Sequence, residues 1–396
     1  MNLAEPVTAL QVEIQAIRRR IHEHPELRFE ERLTSDLVAK KLTEWGIEHE
    51  RGYAKTAVVG KIRKGTGRKM IGLRGDMDAL PLQELNSFGH ASKVPGKMHA
   101  CGHDGHTAML LGAAKYLKEQ VDFDGTVILI FQPAEEGGGG AREMIAEGFL
   151  ERYPLDAAFA IHNWPGYALG TFALAPGPVM ASNNELKIVV EGKGTHAGMP
   201  HLGVDPVPAA CEIVLAAQAI VSREIKARDA AVLSITRIIA ADGVNVVPNQ
   251  VLIEASVRTY SEEITDLIEQ RVGEIANGVA GAHRCKASYE FRRLYPTTVN
   301  DSAQTELTRK ALVATVGEKA VVPFEPVTTS EDFSFFLQKV PGCYFIIGNG
   351  DGDHREIGHG AGPCVLHNGN YDFNDRAIGY GISAWANLTK LWFASN

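Results

Sequence analysis

Residues 96–111 read GKMHACGHDGHTAMLL, a histidine-rich stretch that passes directly into an apolar segment. The apolar part predicts a helix over 107–117. The polar part contains the possible metal donors His99, Cys101, His103, Asp104 and His106. Cysteine thiolates and histidine imidazoles are the donors that zinc and its first-row neighbours prefer. Two donors alone do not hold a metal, so a solvated polar loop explains the stretch equally well unless further donors lie elsewhere.

Apolar strands and helices alternate on both sides of this stretch. Strands are predicted at 57–62, 70–74, 125–131, 157–161 and 343–347. Helices are predicted at 10–21, 37–45, 107–117, 141–147, 305–316 and 375–393, with Ser330 as the cap of a further short helix. This alternation is typical of βα units, so the fold class is α/β with a mainly parallel sheet.

The middle of the chain has a different pattern. Strands are predicted at 185–191, 231–239, 251–260 and 287–294, with a long apolar helix over 207–225 and another opened by Ser261. The order β-α-β-β-α-β is that of a ferredoxin-like α+β domain. The chain therefore divides into a catalytic domain, formed by 1–184 and 297–396, and an inserted domain over 185–296.

Composition excludes several classes of protein. The 396 residues are 45% hydrophobic and 22% charged, with a net charge of −8 and no basic patch, so neither nucleic acid nor an anionic membrane is an expected partner. The N-terminal stretch lacks the pattern of a signal peptide, and no segment approaches the length of a membrane span. Five scattered cysteines, an odd number, indicate reduced thiols and a cytoplasmic location.

Three other stretches supply further donors where predicted elements end. They are FQPAEEG (131–137), AIHNWP (160–165) and VLHNG (365–369), which contain Glu135, Glu136, His162 and His367. In an open parallel sheet, ligands bind at the carboxyl ends of the strands. A glutamate pair is more often a solvated loop, and a single histidine is more often a satisfied polar side chain. Their coincidence with the 96–111 stretch favours a metal site.

Six motifs together resemble one family. They are RRxIHxHPE (18–26), LRGDMDALP (73–81), MHACGHDGHT (98–107), FQPAEEGGGGA (131–141), HAGMPHLGVDP (196–206) and SEDF (330–333). Their order and length are similar to those of the M20 metallopeptidase family. Within it they resemble the amidohydrolase branch of hippurate hydrolases, N-acyl-amino-acid amidohydrolases and auxin-conjugate hydrolases. The resemblance extends from the first helix to the last.

The resemblance implies a two-domain, two-metal hydrolase that cleaves small N-acyl amino acids. The metal ligands it implies are Cys101, His103, Glu136, His162 and His367. Glu135 would be the general acid/base, and Asp76 would support the ligands from behind. The ions would be two divalent metals, drawn from Zn, Mn, Ni and Co. The inserted domain would act as a lid and dimerise, giving a homodimer or homotetramer.

The resemblance also implies that the inserted domain lends residues to the active site. His196, in the G-T-H-A-G motif, would be catalytic, while Asn245 and Arg258 would bind the substrate carboxylate or the oxyanion. The alternative for His196 is a structural one, in which its ring packs against Met199 and Pro200.

The chemistry is consistent with these assignments. Two divalent cations facing one thiolate and one carboxylate leave a net positive site that can polarise a carbonyl group. One glutamate of the pair would bind metal, leaving the other to move a proton from water to the leaving amine. The glycines of 137–140 would let backbone pass close to metal or substrate.

Other classes of function explain fewer residues. There is no G-x-S-x-G motif of a serine hydrolase. A nucleophilic Cys101 would leave the paired glutamates and distant histidines without a role. A structural zinc site would be expected to show paired C-x-x-C, and a non-catalytic binding module would be expected to have lost Glu135 or several ligands. A dipeptidase or aminopeptidase of the same fold remains the alternative, although cysteine in MHACGHDGH favours the amidohydrolase.

Overall fold

The computed structural model describes residues 5–241, 243–355 and 357–395, and its chain divides into two compact units. The first unit runs to Val179 and resumes over Val299–Glu325 and from Asp332 onward. The second unit comprises Met180–Thr298 and Pro326–Glu331. The insert expected at 185–296 lies within this second unit, which also takes in three stretches that the sequence analysis assigned to the catalytic domain, namely 180–184, 297–298 and Pro326–Glu331.

The regular elements of the described residues are numbered in chain order. The helices are α1 (Glu5–His22), α2 (Arg32–Glu44), α3 (His103–Gln120), α4 (Gly140–Ala146), α5 (Phe149–Arg152), α6 (Pro206–Ala219), α7 (Glu262–Ala282), α8 (Ser302–Val316), α9 (Ser334–Leu337) and α10 (Ala377–Ser395). The strands are β1 (Glu48–Arg51), β2 (Val58–Lys64), β3 (Met70–Asp76), β4 (Gly125–Gln132), β5 (Ala157–Pro165), β6 (Phe172–Leu174), β7 (Gly177–Met180), β8 (Asn183–Glu191), β9 (Thr195–His196), β10 (Ala231–Ile239), β11 (Val246–Val247), β12 (Gln250–Thr259), β13 (Lys286–Tyr295), β14 (Thr298–Asn300), β15 (Val321–Pro323) and β16 (Gly342–Gly350).

The first unit is built on an eight-stranded sheet in the order β1-β2-β4-β3-β5-β16-β6-β15. Its four central strands, β4, β3, β5 and β16, are parallel to one another, whereas β1, β2 and β6 join by antiparallel pairing. Strands β4 and β16 are buried along their whole length, which is why they read as continuous apolar runs. The mainly parallel sheet expected from the sequence is confirmed.

Helices α1, α3 and α10 pack on one another and share one core with the strands of the first unit's sheet. Helix α3 is buried along most of its length, so it carries apolar residues on nearly all sides. Its first turn holds His103 and His106, both buried. The fold therefore places two histidines of the 96–111 stretch inside the unit rather than in a solvated loop.

The second unit has the order β8-α6-β10-β12-α7-β13. Its antiparallel sheet runs β10-β12-β8-β13, the strand order of a ferredoxin-like domain, and α6 and α7 share one core with it. Side chains of β8 alternate between buried and less buried positions, as expected for a strand with one face on that core. The predicted cap is confirmed, because the Ser261 hydroxyl accepts a hydrogen bond from the Ile264 N–H at 3.2 Å.

Several predicted boundaries were wrong. Helix α3 begins at His103 rather than 107, since Gly102 turns the chain into the helix without a side-chain cap. The apolar helix expected over 207–225 ends at Ala219, and a short π-helical turn follows it. Ser330 caps no helix, because α9 starts after Phe333, and the Ser330 hydroxyl instead accepts from the Arg258 guanidinium at 3.3 Å. Within the described residues, no helix combines the length and apolar character that crossing a membrane requires.

Candidate metal centre

The candidate donors lie at the ends of the central parallel strands and in the loops beside them. Glu135 and Glu136 follow β4, and His162 lies near the end of β5, two strands away across β3. Cys101 directly precedes the turn into α3, and His367 lies in the segment before α10. This is the edge of a parallel sheet at which ligands are expected to bind.

A tight turn holds Cys101 at the start of α3. Gly102 has a φ of 90°, and a Cβ at this position would lie 2.2 Å from the Asn163 amide nitrogen, so only glycine fits there. The Asn163 side chain donates to the Cys101 carbonyl at 2.7 Å, and the Tyr371 hydroxyl donates to Asn163 at 2.7 Å. The thiol is therefore fixed by buried hydrogen bonds on its own backbone.

A second tight turn presents the glutamate pair. A Cβ on Gly140 would meet the Pro133 carbonyl oxygen at 1.8 Å, and Ala134 adopts a left-handed φ of 57°. The glycine run after Glu136 is thus required by the folding of this turn on itself. The sequence analysis had instead attributed it to close approach of metal or substrate.

One group of possible donors consists of Cys101, Glu136 and His367. One ligand atom from each lies within 4.8 Å of the others. His367 Nε2 lies 3.1 Å from Glu136 Oε1, and the His367 backbone N–H donates to the Ala100 carbonyl at 2.8 Å. The side chain of His367 is 55% exposed, whereas Cys101 is buried, so this group connects the interior with the surface.

A second group lies deeper and contains Asp76, His103, His106 and His162. His162 Nδ1 donates to the Asn163 carbonyl at 2.7 Å, which leaves the lone pair on Nε2, and Nε2 lies 3.4 Å from the Cys101 sulfur. A hydrogen bond of this kind to one ring nitrogen is the usual arrangement behind a metal-bound histidine. A ring nitrogen of His103 also lies within 4.8 Å of a carboxylate oxygen of Glu135 and of one of Glu136.

His106 is held differently from His103 and His162. Its Nδ1 lies 2.6 Å from Asp76, and its Nε2 accepts from the Asn163 backbone N–H at 2.9 Å. Because both ring nitrogens already have partners, His106 is a supporting residue of the site. Asp76 also receives the Arg74 guanidinium at 2.6 Å, which places its carboxylate behind the histidines.

Asp78 is the residue that the sequence analysis missed. Its carboxylate accepts from the backbone N–H groups of Glu135 at 3.1 Å and Glu136 at 2.9 Å, and it lies 3.2 Å from His103 Nδ1. It therefore connects the glutamate turn to α3. The signal was available, since Asp76 and Asp78 are two residues apart in LRGDMDALP and an extended chain points such side chains to the same side.

Burial sets the protonation states of the donors. Burial, with the nearby carboxylates of Glu136 and Glu135, raises the pKa of the Cys101 thiol well above its usual value. Burial, with neighbouring His106, lowers the pKa of His162, which keeps this ring neutral. Burial also opposes the charged form of His103, but the Asp76 and Asp78 carboxylates outweigh it and raise its pKa to about 10. A divalent cation would supply the positive charge that favours the thiolate and replaces the His103 proton.

The same pKa argues against a nucleophilic cysteine. Reactive cysteines have a lowered pKa and partial exposure, whereas Cys101 is buried and its pKa is raised. Glu135 is buried at 7% exposure and lies beside the glutamate that belongs to the first donor group. The donor set of one thiol, three imidazoles and a carboxylate matches what zinc and its neighbours bind.

The residues expected from the inserted domain lie in the second unit. His196 is exposed, and its Nδ1 accepts from the Gly198 N–H at 3.0 Å. Strand β9 pairs with β11. The backbone carbonyl of the exposed Asn245 accepts from the Ala197 N–H at 3.0 Å, so His196 and Asn245 are neighbours. Arg258 is on β12, where its Nε donates to the Ser256 hydroxyl at 3.3 Å.

Comparison with known proteins gives consistent matches. Residues 72–390 match the model of Peptidase family M20/M25/M40. Hippurate hydrolase of Campylobacter jejuni subsp. jejuni is 39% identical over 389 residues, 98% of each chain. N-acetyl-L-cysteine deacetylase of Bacillus subtilis is 40% identical over 349 residues, 88% of this chain and 83% of that protein. The crystal structure of a dinuclear metal-binding peptidase of the M20 family from Bacillus subtilis superposes with a TM-score of 0.85 at 32% identity, over 98% of this chain and 100% of that one. The family expected from the motifs is confirmed, and the chain belongs to peptidase family M20/M25/M40.

Proposed function

We propose that this chain is a two-metal hydrolase that cleaves the amide bond of N-acyl amino acids, releasing a carboxylic acid and a free amino acid. The observation that carries the proposal is the convergence of thiol, imidazole and carboxylate donors beside a second, buried carboxylate, that of Glu135. The relatives support this chemistry, since hippurate hydrolase and N-acetyl-L-cysteine deacetylase are both named for acylated amino acids.

The residues proposed to hold the two divalent ions are Cys101, His103, Glu136, His162 and His367. When bound, the ions supply positive charge that polarises the scissile carbonyl and makes water more acidic. We propose Zn, Mn, Ni or Co, because these metals accept a mixture of sulfur, nitrogen and oxygen donors. Asp76 and Asp78 orient the donors through the hydrogen bonds to His106, His103 and the glutamate turn.

Glu135 is the proposed general acid/base. Its backbone is fixed through Asp78, while its carboxylate does not belong to the proposed ligand set. It takes a proton from the attacking water and delivers it to the amide nitrogen as the C–N bond breaks, so that the amino acid leaves as a neutral amine. Because the side chain is largely buried, few bulk water molecules compete for that proton.

We propose that His196, Asn245 and Arg258 assist from the inserted domain. The guanidinium of Arg258 suits a substrate carboxylate, and the His196 ring and the Asn245 amide suit a developing oxyanion. His196→Ala is expected to lower kcat about 10²-fold, as for the loss of one oxyanion donor, with metal content unchanged. The matched control is His201→Ala, another exposed histidine of the same loop. Equal kcat in the two variants would contradict the role of His196.

A substrate panel tests the proposal. Purified protein is incubated with N-acetyl, N-benzoyl and indole-acyl amino acids and with dipeptides, before and after EDTA treatment, and the released amine is measured. We expect metal-dependent release from at least one acyl class and restoration of activity by added Zn, Mn, Ni or Co. Sedimentation of the same sample reports whether the chain is the proposed homodimer or homotetramer.

The panel also separates the alternatives. Cleavage confined to dipeptides would replace the amidohydrolase with the peptidase of the same fold. Tight binding of acyl amino acids without turnover would favour a non-catalytic binding module. A cytoplasmic location, proposed from the reduced thiols, is tested by fractionating cells that express the protein; the described structure has all five cysteines free of disulfides.

A further inference from the structure

A second histidine–carboxylate cluster in the first unit plays no part in the proposed reaction. His90, His354, His359 and Asp372 line one cavity of about 500 Å³. Asp372 is buried and lies between the ligand candidate His367 and helix α10, whereas His354 and His359 lie in the loop that follows β16. The cluster thus joins two segments that are separate in sequence.

The distances within the cluster suit a shared metal ion. His359 Nε2 lies 3.1 Å from one Asp372 oxygen, and His90 Nε2 lies 3.5 Å from the other. One ligand atom from each of His354, His359 and Asp372 lies within 4.8 Å of the others. Two donors on a tetrahedral zinc are about 3.3 Å apart, given bonds of about 2.0–2.1 Å to each. The observed spacing therefore needs little change for an ion to enter.

His354 provides an independent observation. Its Nε2 lies 3.3 Å from the Asp372 backbone carbonyl, an acceptor, so the ring proton is on Nε2. Its Nδ1 then carries a lone pair, is buried, and has no hydrogen-bond partner among the described residues. Buried ring nitrogens are rarely left unsatisfied, and a histidine that donates its other N–H to a backbone carbonyl is prepared to bind metal.

The charges of the cluster agree with this. Burial lowers the pKa of both His90 and His354, which keeps their rings neutral, the form that binds metal. Burial opposes ionisation of Asp372, but Arg18, His359 and His90 outweigh it and hold the pKa of Asp372 well below its usual range. Arg18 occupies one oxygen of Asp372 at 2.6 Å and so directs the other oxygen towards His359.

We propose that His354, His359 and Asp372 bind one divalent ion of the zinc class. Two imidazoles and a carboxylate are ligands that zinc binds readily, and a water molecule would complete the tetrahedral set. The ion fastens the loop after β16 to the segment that carries His367. The proposal does not depend on the reaction assigned to the other metals.

Metal counting tests the site. Full-length protein is stripped with a chelator, dialysed against excess Zn²⁺ and then against metal-free buffer, and bound zinc per chain is measured by mass spectrometry. We expect three ions for the unchanged chain and two for His354→Ala/His359→Ala. His49→Ala/His283→Ala, which removes two histidines outside the cluster, is the matched control and should keep three. Cys101→Ala/His162→Ala should lose the proposed catalytic ions but keep one.

Thermal unfolding distinguishes the loss of this metal site from a general folding defect of the variant. With EDTA present, the unchanged chain and His354→Gln/His359→Gln should unfold at similar temperatures. With Zn²⁺ added to both, only the unchanged chain should gain the extra stability that comes from binding at this site. Equal zinc counts in the unchanged chain and the double alanine variant would overturn the proposal. A zinc-induced gain of the same size in the double glutamine variant would overturn it as well.

Discussion

Two clusters of histidines and carboxylates in the first unit balance their charges in opposite ways. We call Cys101, His103, Glu136, His162 and His367 the donor cluster. The arginine network consists of Arg18, His22, Glu84, Asp104 and Asp372. In the arginine network, Arg18 lies 2.7 Å from Asp104 and 2.6 Å from Asp372, and His22 lies 2.8 Å from Asp104 and 3.3 Å from Glu84. Its anions are balanced by cations of the chain itself.

The donor cluster contains no arginine or lysine, and the raised pKa of His103 reflects a proton that a metal ion would replace. His162 is neutral, and the Cys101 thiol lies near acidic side chains that oppose its ionisation. The difference indicates that buried anions whose charge a permanent cation of the chain already balances have less need of a metal ion than donors without one. Changes in the donor cluster should therefore alter metal content and turnover, and changes of Arg18 or His22 in the arginine network should alter stability.

The largest expected effect is at Glu135, which lies beside the donor cluster but is not a proposed ligand. Glu135→Gln should lower kcat about 10³-fold, within the range for loss of a general acid/base, with unchanged metal content. Steady-state kinetics and metal analysis on the same preparation measure both quantities. The control is Glu143→Gln, on α4, where the side chain is 44% exposed. Near-normal kcat in Glu135→Gln would refute the assignment.

Replacing a ligand should act on the metal instead. Cys101→Ala is expected to weaken metal affinity more than about 100-fold, beyond the range for groups that only support a ligand. Cys343→Ala is the matched control, because Cys343 is equally buried and its thiol donates to the Tyr344 carbonyl at 3.7 Å. Chelator competition measures both affinities. Two results together would support a nucleophilic Cys101 instead. They are full metal content in Cys101→Ala and inactivation of the unchanged protein by thiol alkylation but not by EDTA.

The fold and the candidate donors could be predicted from the sequence only in part. Long segments such as α1, β4 and α10 were predicted because their helical period or apolar run persists over many residues. Short strands such as β6 and β15 were not, since three residues carry no detectable period. The candidate donors stood out because each follows a recognisable strand or precedes a helix, and the resemblance to the M20 family selected the five proposed ligands among them.

Asp104 illustrates the part that sequence could not supply. It lies in the same short stretch as Cys101 and His103 and offers a good metal-binding group. Its partners, Arg18 and His22, come from α1, far away in the chain, and both lie on the same oxygen of Asp104, so that its charge is already balanced by cations of the chain. A residue's neighbours in sequence predict its chemistry, but its partners in space decide whether that chemistry is available.

The arginine network should respond through stability. Arg18→Met is expected to destabilise the protein by about 3 kcal/mol, because it leaves Asp104 and Asp372 buried without their main cation. Metal bound at the donor cluster per folded chain should not change. Arg19→Met is the control, since Arg19 is 44% exposed and its ion pair with Asp375 should contribute less than about 1 kcal/mol. Urea unfolding of the three proteins gives these values, and equal losses in both variants would contradict the distinction between the two arginines.

The smallest expected effect is a pH dependence at His22. Burial and Arg18 oppose its charged form, but Asp104 and Glu84 outweigh them and raise its pKa from 6.5 to about 9. The folded chain therefore holds a proton that the unfolded chain releases above about pH 6.5, so the stabilisation is complete below that pH and is lost as pH rises towards 9.

Relative to His22→Gln, the unchanged chain should lose about 1 kcal/mol of unfolding free energy per pH unit between pH 7 and 8.5. Urea unfolding at several pH values measures the difference, with His49→Gln as the control, because the His49 ring contacts the Ile47 carbonyl. Parallel pH profiles for the unchanged chain and His22→Gln would mean that His22 is neutral in the folded state and that Asp104 is balanced by Arg18 alone.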